Sequence, residues 1–313
     1  MAVIISKVLV VFIYMAVGFL CNKLRILPYE STKYLIPLLI TVTSPCMLFD
    51  SILSKELTDG MMANTLIALI GGTLLYGIYG FIGLFLSRKL RFQSPNEISL
   101  AMTASNNGSM GIPVTMAAFP GEILYYLIIE NISLNLYLYV IGVLQLNYGD
   151  QRERKQTSFK EKIKPFIKPI TIVPVVASIM LFAGIKMPAY PMEIIGTIGD
   201  VTIPLSMIVV GIQLAESDIG KALRNKALAM TSVYKLILIP LATLLIVLPL
   251  PLNNALKVGL VITMIFPTSV SSAALAQYHN KNSQVIAEAV AQTTLFSIIT
   301  VPVWIIVLTQ LFL

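Results

Sequence analysis

The chain has 313 residues, of which 57% are hydrophobic and only 12% charged, with a mean hydropathy of +0.85 and a formal net charge of +7. That is more apolar surface than a soluble core of this size can bury, so the composition excludes an ordinary soluble globular protein and predicts an all-α integral membrane protein. Two cysteines far apart in sequence, Cys21 and Cys46, and a single histidine, His279, suggest neither a disulfide framework nor a multi-histidine metal site, and no cofactor is expected.

Apolar runs of about 20 residues, enough to cross a hydrocarbon core of roughly 30 Å, recur along the whole chain. The first, "MAVIISKVLVVFIYMAVGFL", lacks a small-residue cleavage site and is read as a retained span. Ten spans are predicted, near residues 2–21, 31–54, 62–87, 96–118, 122–147, 169–186, 193–215, 222–249, 255–277 and 283–311. Seventeen lysines and arginines fall in the loops that follow odd-numbered spans, against Lys55, Lys186 and Lys257 in the others. The positive-inside rule therefore makes the odd loops cytoplasmic and places both termini outside, in a cell (plasma) membrane. Basic residues dispersed over several short loops argue against nucleic-acid binding.

The longest loop, 148–168, is basic and divides the chain into residues 1–147 and 169–313, each with five spans. An odd number of spans per half makes the second half enter the membrane from the opposite side, the condition for an inverted repeat. The residues carry traces of one. "TVTSPCMLF" in the second span matches "DVTIPLSMI" in the seventh through Val42, Thr43, Pro45 and Val201, Thr202, Pro204. "MGIPVT" in the fourth matches "MIFPTS" in the ninth through Met110, Pro113 and Met264, Pro267.

Proline removes a helical hydrogen bond and clashes one turn back, so each of these spans is expected to kink or break. Pro45 and Pro204 read equally well as plain kinks. Pro113 follows Asn106, Asn107, Gly108, Ser109 and Gly111, and Pro267 precedes Thr268, Ser269, Ser271 and Ser272, residues that favour unwound backbone and local capping. Unwound backbone at mid-membrane is tolerated only where protein buries it or it lines a watery cavity. New half-helices are expected to start at Pro113 and Pro267, their positive ends converging on an anion held by Asn106, Asn107, Thr268 and Ser269. The competing reading is small polar residues that merely allow close helix packing.

"SNNGSMGIPV", "GDVTIPLSMIVVGIQLA" and "MIFPTSVSSAALA", with the span count and the central charged loop, resemble the auxin efflux carrier family, which includes plant PIN-type carriers and bacterial malate and malonate permeases. The resemblance implies the fold of bile acid symporters and sodium/proton antiporters: ten helices in two inverted five-helix repeats, with broken fourth and ninth helices crossing at the centre. It implies a scaffold of spans 1, 2, 6 and 7, a transport domain of spans 3–5 and 8–10 that moves like an elevator, and a homodimer through the scaffold. It places the substrate at Asn106, Asn107, Gly108 and Pro113 on one crossover and at Pro267 and Thr268 on the other. Ile265 and Phe266 stand where the family commonly has an asparagine before the second proline, and Phe266 is read as an apolar or stacking wall.

Glu130 is expected about eight residues into the fifth span, roughly 12 Å deep, followed by Asn131. A carboxylate at that depth faces a cavity, holds a proton or binds a cation, or else only bonds the broken fourth helix. Together with Ser105, Asn106 and Glu288 it is a candidate for coupling to Na+ or H+. Asp200 is read as a helix cap, Asp50 and Glu122 as interfacial, and His279 as a span-end residue. Lys235, deep in the eighth span, either meets an anion or Glu130, or snorkels to an interface. The function expected is secondary transport of a small organic anion, with membrane lipid as the surroundings. No GxxxxGK[ST] loop for ATP and no HExxH site is present, so neither ATP drive nor an enzyme is expected. The alternative is a ligand-binding membrane sensor of the same fold.

Overall fold

The computed structural model describes residues 2–149 and 167–313. Most of the predicted basic loop 148–168 therefore lies outside the described residues. The helices are α1 (Ala2–Lys23), α2 (Tyr29–Leu53), α3 (Met61–Lys89), α4 (Pro95–Thr103), α5 (Ile112–Ala118), α6 (Glu122–Leu146), α7 (Pro169–Phe182), α8 (Ala189–Glu216), α9 (Ile219–Arg224), α10 (Lys226–Val247), α11 (Asn254–Ile262), α12 (Val270–Tyr278) and α13 (Ser283–Phe312). Among the described residues, seven are long and apolar enough to cross a membrane: α1, α2, α3, α6, α8, α10 and α13. The apolar stretch at 169–186 forms only the 14-residue α7, and those at 96–118 and 255–277 are each divided between two short helices.

Several boundaries differ from the sequence reading, for local reasons. The predicted span 222–249 is two helices, because Asn225 leaves the helix and its side chain accepts from the Ala227 amide at 3.0 Å, starting α10. Asp200 is exposed and caps nothing; α8 runs on through it with one irregular residue, Val201. Wide, π-type turns loosen α2 at Leu39–Thr43 and α10 at Tyr234–Leu238, just before Pro45 and Pro240. A proline leaves the carbonyl four residues back without its donor, and the helix adapts by widening. In α10 that carbonyl belongs to Leu236, and the indole of Trp304 from α13 donates to it at 2.8 Å.

Two groups of helices emerge from the packing. α1 lies along the second half of α8, while α2 packs on α7 and on the first half of α8. α3 packs on α4 and α6, α6 on α11, and α13 on α4, α10 and α12. The groups meet where α1 and α8 touch α5 and α13. Within the first group, backbones approach because glycine faces backbone. A Cβ on Gly18 of α1 would lie 2.1 Å from the Ile208 carbonyl oxygen, and one on Gly211 of α8 would lie 2.0 Å from that of Met15. Between apolar helices in lipid, such close dispersion contact is the main attraction available.

Gly211→Ala should therefore push α1 and α8 apart, with a cost of about 1–3 kcal/mol or more from overpacking. Gly77→Ala, whose added carbon would make only an ordinary 3.4 Å contact with Ile141, should be close to neutral. Melting temperatures of the two purified variants check this; equal melting would contradict the glycine contact.

Candidate functional site

The two interrupted stretches are joined to each other. α4 ends at Thr103 and Ala104 turns extended, while Ser269, before α12, is extended as well. Between them Ser105 and Thr268 form an isolated antiparallel bridge. The Asn106 amide donates to the Pro267 carbonyl at 2.8 Å, and the Ser269 amide donates to the Ala104 carbonyl at 3.0 Å.

Side chains take up the carbonyls that the breaks leave over. The Thr263 carbonyl has lost its helical donor because residue 267 is proline, and the Ser105 hydroxyl donates to it at 2.7 Å. The Thr268 hydroxyl donates to the Ala101 carbonyl at 2.8 Å, and its own amide donates to the hydroxyl of Thr293 on α13 at 3.0 Å. The Asn107 amide group donates to the Tyr76 hydroxyl at 3.0 Å and to the hydroxyl of Thr263, which lies 3.1 Å from that of Tyr76. Asn107, Ser105, Thr268, Thr263 and Tyr76 are all fully buried, with Asn106 nearly so.

The predicted substrate residues thus divide into two kinds. Thr268 spends its hydroxyl on holding the bridge, as does the coupling candidate Ser105; Asn107 gives only its amide group, its buried Oδ1 having no partner among the described residues, and Ser269 caps α12 by accepting from the Ser271 amide at 3.2 Å. Phe266 is buried and packs edge-on against Gly111, where a Cβ would come within 2.9 Å of its ring; it is a wedge between the chains. Gly108 is half-buried with open space beside its α-carbon, and the neighbouring Ser109 is exposed, as is Ser271 on the opposite stretch. Pro113 lies in the first turn of α5, as expected, but after a wide turn at Asn107–Gly111. Pro267 does not start a helix: its carbonyl serves the bridge, and α12 begins three residues later at Val270.

Of the coupling candidates, Ser105 and Asn106 lie together at the bridge, while Glu130 and Glu288 have different surroundings. Glu130 is fully buried on α6, neither carboxylate oxygen has a partner, and it lies against Gly72 of α3, where a Cβ would be 1.8 Å from Oε2. Asn131 follows it, buried, its carbonyl accepting from Asn135 at 3.0 Å. Glu288, near the start of α13, pairs instead with Lys221 of α9 at 3.0 Å and accepts from Gln284 at 3.2 Å. The hydrogen bond to Glu288 holds the Lys221 ammonium above its ordinary range. Lys235 is fully buried, and its ammonium donates to the Thr103 carbonyl at 3.2 Å; it does not reach an interface. Among the described residues no group of acidic, histidine or cysteine side chains could hold a metal ion.

Sequence reasoning missed Tyr76, Thr263, Thr293 and Gly72. In apolar helices a lone hydroxyl or glycine is ordinary content, and the one available signal was register: Tyr76 precedes Lys235 by 159 positions, the offset between Pro45 and Pro204.

Seven long apolar helices, with two interrupted stretches joined by a buried bridge, define a multi-pass membrane protein. The chain belongs to the membrane transport protein family, that of the auxin efflux carriers, which matches residues 3–305. It is similar over nearly its whole length to proteins described as transporters. Uncharacterized transporter YfdV of Escherichia coli K12 is 22% identical over 308 residues, covering 97% of both chains. Uncharacterized transporter MJ1031 of Methanocaldococcus jannaschii is 22% identical over 306 residues, covering 95% of this chain and 96% of its own. A transporter of Methanothermobacter thermautotrophicus is 23% identical over 312 residues, covering 97% and 98%.

Thr268→Val removes the hydroxyl at nearly constant volume and leaves the Ala101 carbonyl buried without a donor. The expected loss is about 1–3 kcal/mol of stability. Ser109→Ala, at an exposed position, should change stability by no more than about 0.5 kcal/mol. Thermal or denaturant melting of both variants in detergent tests the contrast, and a Thr268→Val protein as stable as wild type would refute the assignment.

Proposed function

We propose that the protein is a secondary transporter of a small organic anion, a mono- or dicarboxylate such as malate, malonate or an auxin-like acid, working by elevator-type alternating access. The observation that carries this reading is the bridged crossing, firmly closed by Ser105, Asn107 and Thr268 and open at Gly108 and Ser109. At that open side the first amides of the wide turn Asn107–Gly111 lack intrahelical acceptors, as at any helix start, and favour negative charge. The nearby negative ends are already satisfied, Thr103 by Lys235 and Thr263 by Ser105. An anion is thus the ligand the centre favours, with Asn106, Gly108 and Ser109 on one side and Ser269 and Ser271 on the other.

Paired contacts support ten spans in two inverted halves. Tyr76 reaches Thr263 at the end of α11, and Lys235, 159 positions later, reaches Thr103 at the end of α4. Gln145 of α6 donates to the Gly80 carbonyl of α3 at 2.8 Å, and Trp304, again 159 positions later, makes the corresponding bond from α13 to α10. The packing of α1, α2, α7 and α8 suits a scaffold through which two copies pair; the remaining helices form the moving body. The lysine and arginine asymmetry supports a plasma-membrane orientation with both termini outside.

Coupling is assigned to Glu130. A carboxylate with no partner in a membrane interior has to take up a proton or a cation such as Na+.

Uptake of a panel of labelled mono- and dicarboxylates into proteoliposomes, with proton, sodium and potential gradients imposed separately, tests the proposal. One or more acids should accumulate, and Gly108→Val, which fills the open space, should lower that uptake at least tenfold while leaving the protein folded. Specific ligand binding with no flux under any gradient would favour a sensor instead. Glu130→Gln should leave exchange of labelled for unlabelled substrate intact yet remove the dependence on the driving ion; retained dependence would place coupling elsewhere.

A further inference from the structure

Threonine on an apolar helix ordinarily closes its hydroxyl onto the carbonyl four residues back, because little else there accepts it. Thr65, Thr73, Thr231, Thr243 and Thr309 all do so, at 2.7–2.9 Å. Thr43 of α2 and Thr202 of α8 do not. Both are buried, and neither hydroxyl has a partner among the described residues. They stand 159 positions apart, each two residues before a proline, Pro45 and Pro204, and among the described buried groups without a partner they are the one pair at that offset.

An irregularity beside each proline accompanies the loss of the usual bond. In α2 the Leu39 carbonyl, which Thr43 would ordinarily reach, takes the Ser44 amide across the wide turn Leu39–Thr43. In α8 Thr202 directly follows the irregular Val201. The two helices run antiparallel here: a Cβ on Gly196 would lie 3.5 Å from the Asp50 carboxyl carbon, and one on Gly199 would lie 2.7 Å from the Met47 α-carbon. One further turn of that register sets Thr202 level with Thr43. The second half of α8, which opens at Thr202, packs against the wide turn Leu39–Thr43 and also against the wide turn Asn107–Gly111 of the crossing. The hydroxyl pair thus stands on the element that joins the first helix group to the turn carrying Gly108 and Ser109.

A buried hydroxyl costs free energy until something accepts its proton. Two of them at the junction of two repeats, where broken-helix carriers hold their substrates, supply two donors, and a carboxylate offers two acceptor oxygens. We propose that Thr43 and Thr202 are the scaffold's half of the anion site, their hydroxyls donating to the carboxylate that the crossing carries. The assignment rests on the carrier reading above and adds to it a contact from the helices that do not move.

Purified wild type, Thr43→Val and Thr202→Val are melted in detergent with the potassium salts of acetate, benzoate, malonate and succinate, against chloride at equal ionic strength, and the same proteins are assayed for uptake in proteoliposomes. Valine keeps the shape of threonine without the hydroxyl. With no internal bond to lose, each variant should melt no lower than wild type, unlike Thr268→Val. At least one acid should stabilise wild type, as binding to the folded state requires. Each valine variant should need about tenfold more of that acid for the same shift and for half-maximal uptake, the effect of one lost hydrogen bond to a charged group. Thr43→Ser and Thr202→Ser should restore both. Lower melting of the valine variants would place the hydroxyls in bonds to the protein or to a structural water and overturn the proposal, as would an unchanged dependence on the acid. Stabilisation of wild type by an acid with no flux under any gradient would sink the carrier reading alone, and the dose dependence of the variants would still decide the hydroxyl pair. A wild type that responds to none of the acids would sink both.

Discussion

Two helices that stop inside an apolar protein leave main-chain amides and carbonyls with no water to receive them, and each such group costs about 1–3 kcal/mol if it stays unpaired. This obligation organises the centre of the molecule. The Ala101 carbonyl goes to the Thr268 hydroxyl, Thr103 to Lys235, Ala104 to the Ser269 amide, Thr263 to Ser105 and Pro267 to the Asn106 amide. Nearly every donor comes from the other interrupted stretch, so neither break is tolerable without its partner. A single antiparallel bridge is the cheapest solution, since two short extended segments side by side satisfy each other with no loop to bury.

The same requirement explains the residue types around the crossing. Short hydroxyl side chains reach carbonyls one residue away without filling the space a second backbone needs, which is why serine and threonine dominate here. Tyr76 adds its hydroxyl from α3, where it meets the Asn107 amide group and the Thr263 hydroxyl. Glycine serves the complementary need. Gly111 admits the Phe266 ring, and Gly72 admits the Glu130 carboxylate, so one glycine lets two chains cross while the other lets a polar group lie against a helix with nothing to bond it. The first arrangement packs a ring between two stretches, and the second leaves a buried carboxylate without a hydrogen-bond partner.

Much of this was legible in the sequence, because it was written in exceptions to an apolar pattern. Asn106, Asn107, Gly108 and Pro113 stand out in a membrane span, as do Pro267 and Thr268, and they do lie together. The roles were harder to read. Asn107 and Thr268, read as ligand groups, also bond within the protein, to Thr263 and to the Ala101 carbonyl, ordinary residues on the far stretch that no pattern announces. Glu288 was grouped with Glu130 as a coupling candidate, and a charged neighbour from a short helix, Lys221, pairs with it. Pro267 looked like a helix start, yet starting α12 three residues later frees its carbonyl for the bridge. In each case the sequence named the unusual residue, and its partner lay far along the chain, 67 positions away for Glu288 and 156 to 167 for Asn107, Thr268 and Pro267.

The pairing also makes the two crossing ends chemically unequal, although their backbones are alike. Tyr76 and Lys235 stand 159 positions apart, and the two buried carboxylates differ too, Glu130 having no partner among the described residues and Glu288 pairing with Lys221. One half therefore sets a lysine at its neighbour's helix end, while the other sets a phenol there and keeps a carboxylate with no partner among the described residues. A symmetric crossing could hold an anion from either side equally but would have no means of tying its passage to a second ion. Under the proposed transport reading, unequal groups on comparable places supply that means, because one end keeps its hydrogen bonds while Glu130 changes its charge with the ion it takes up.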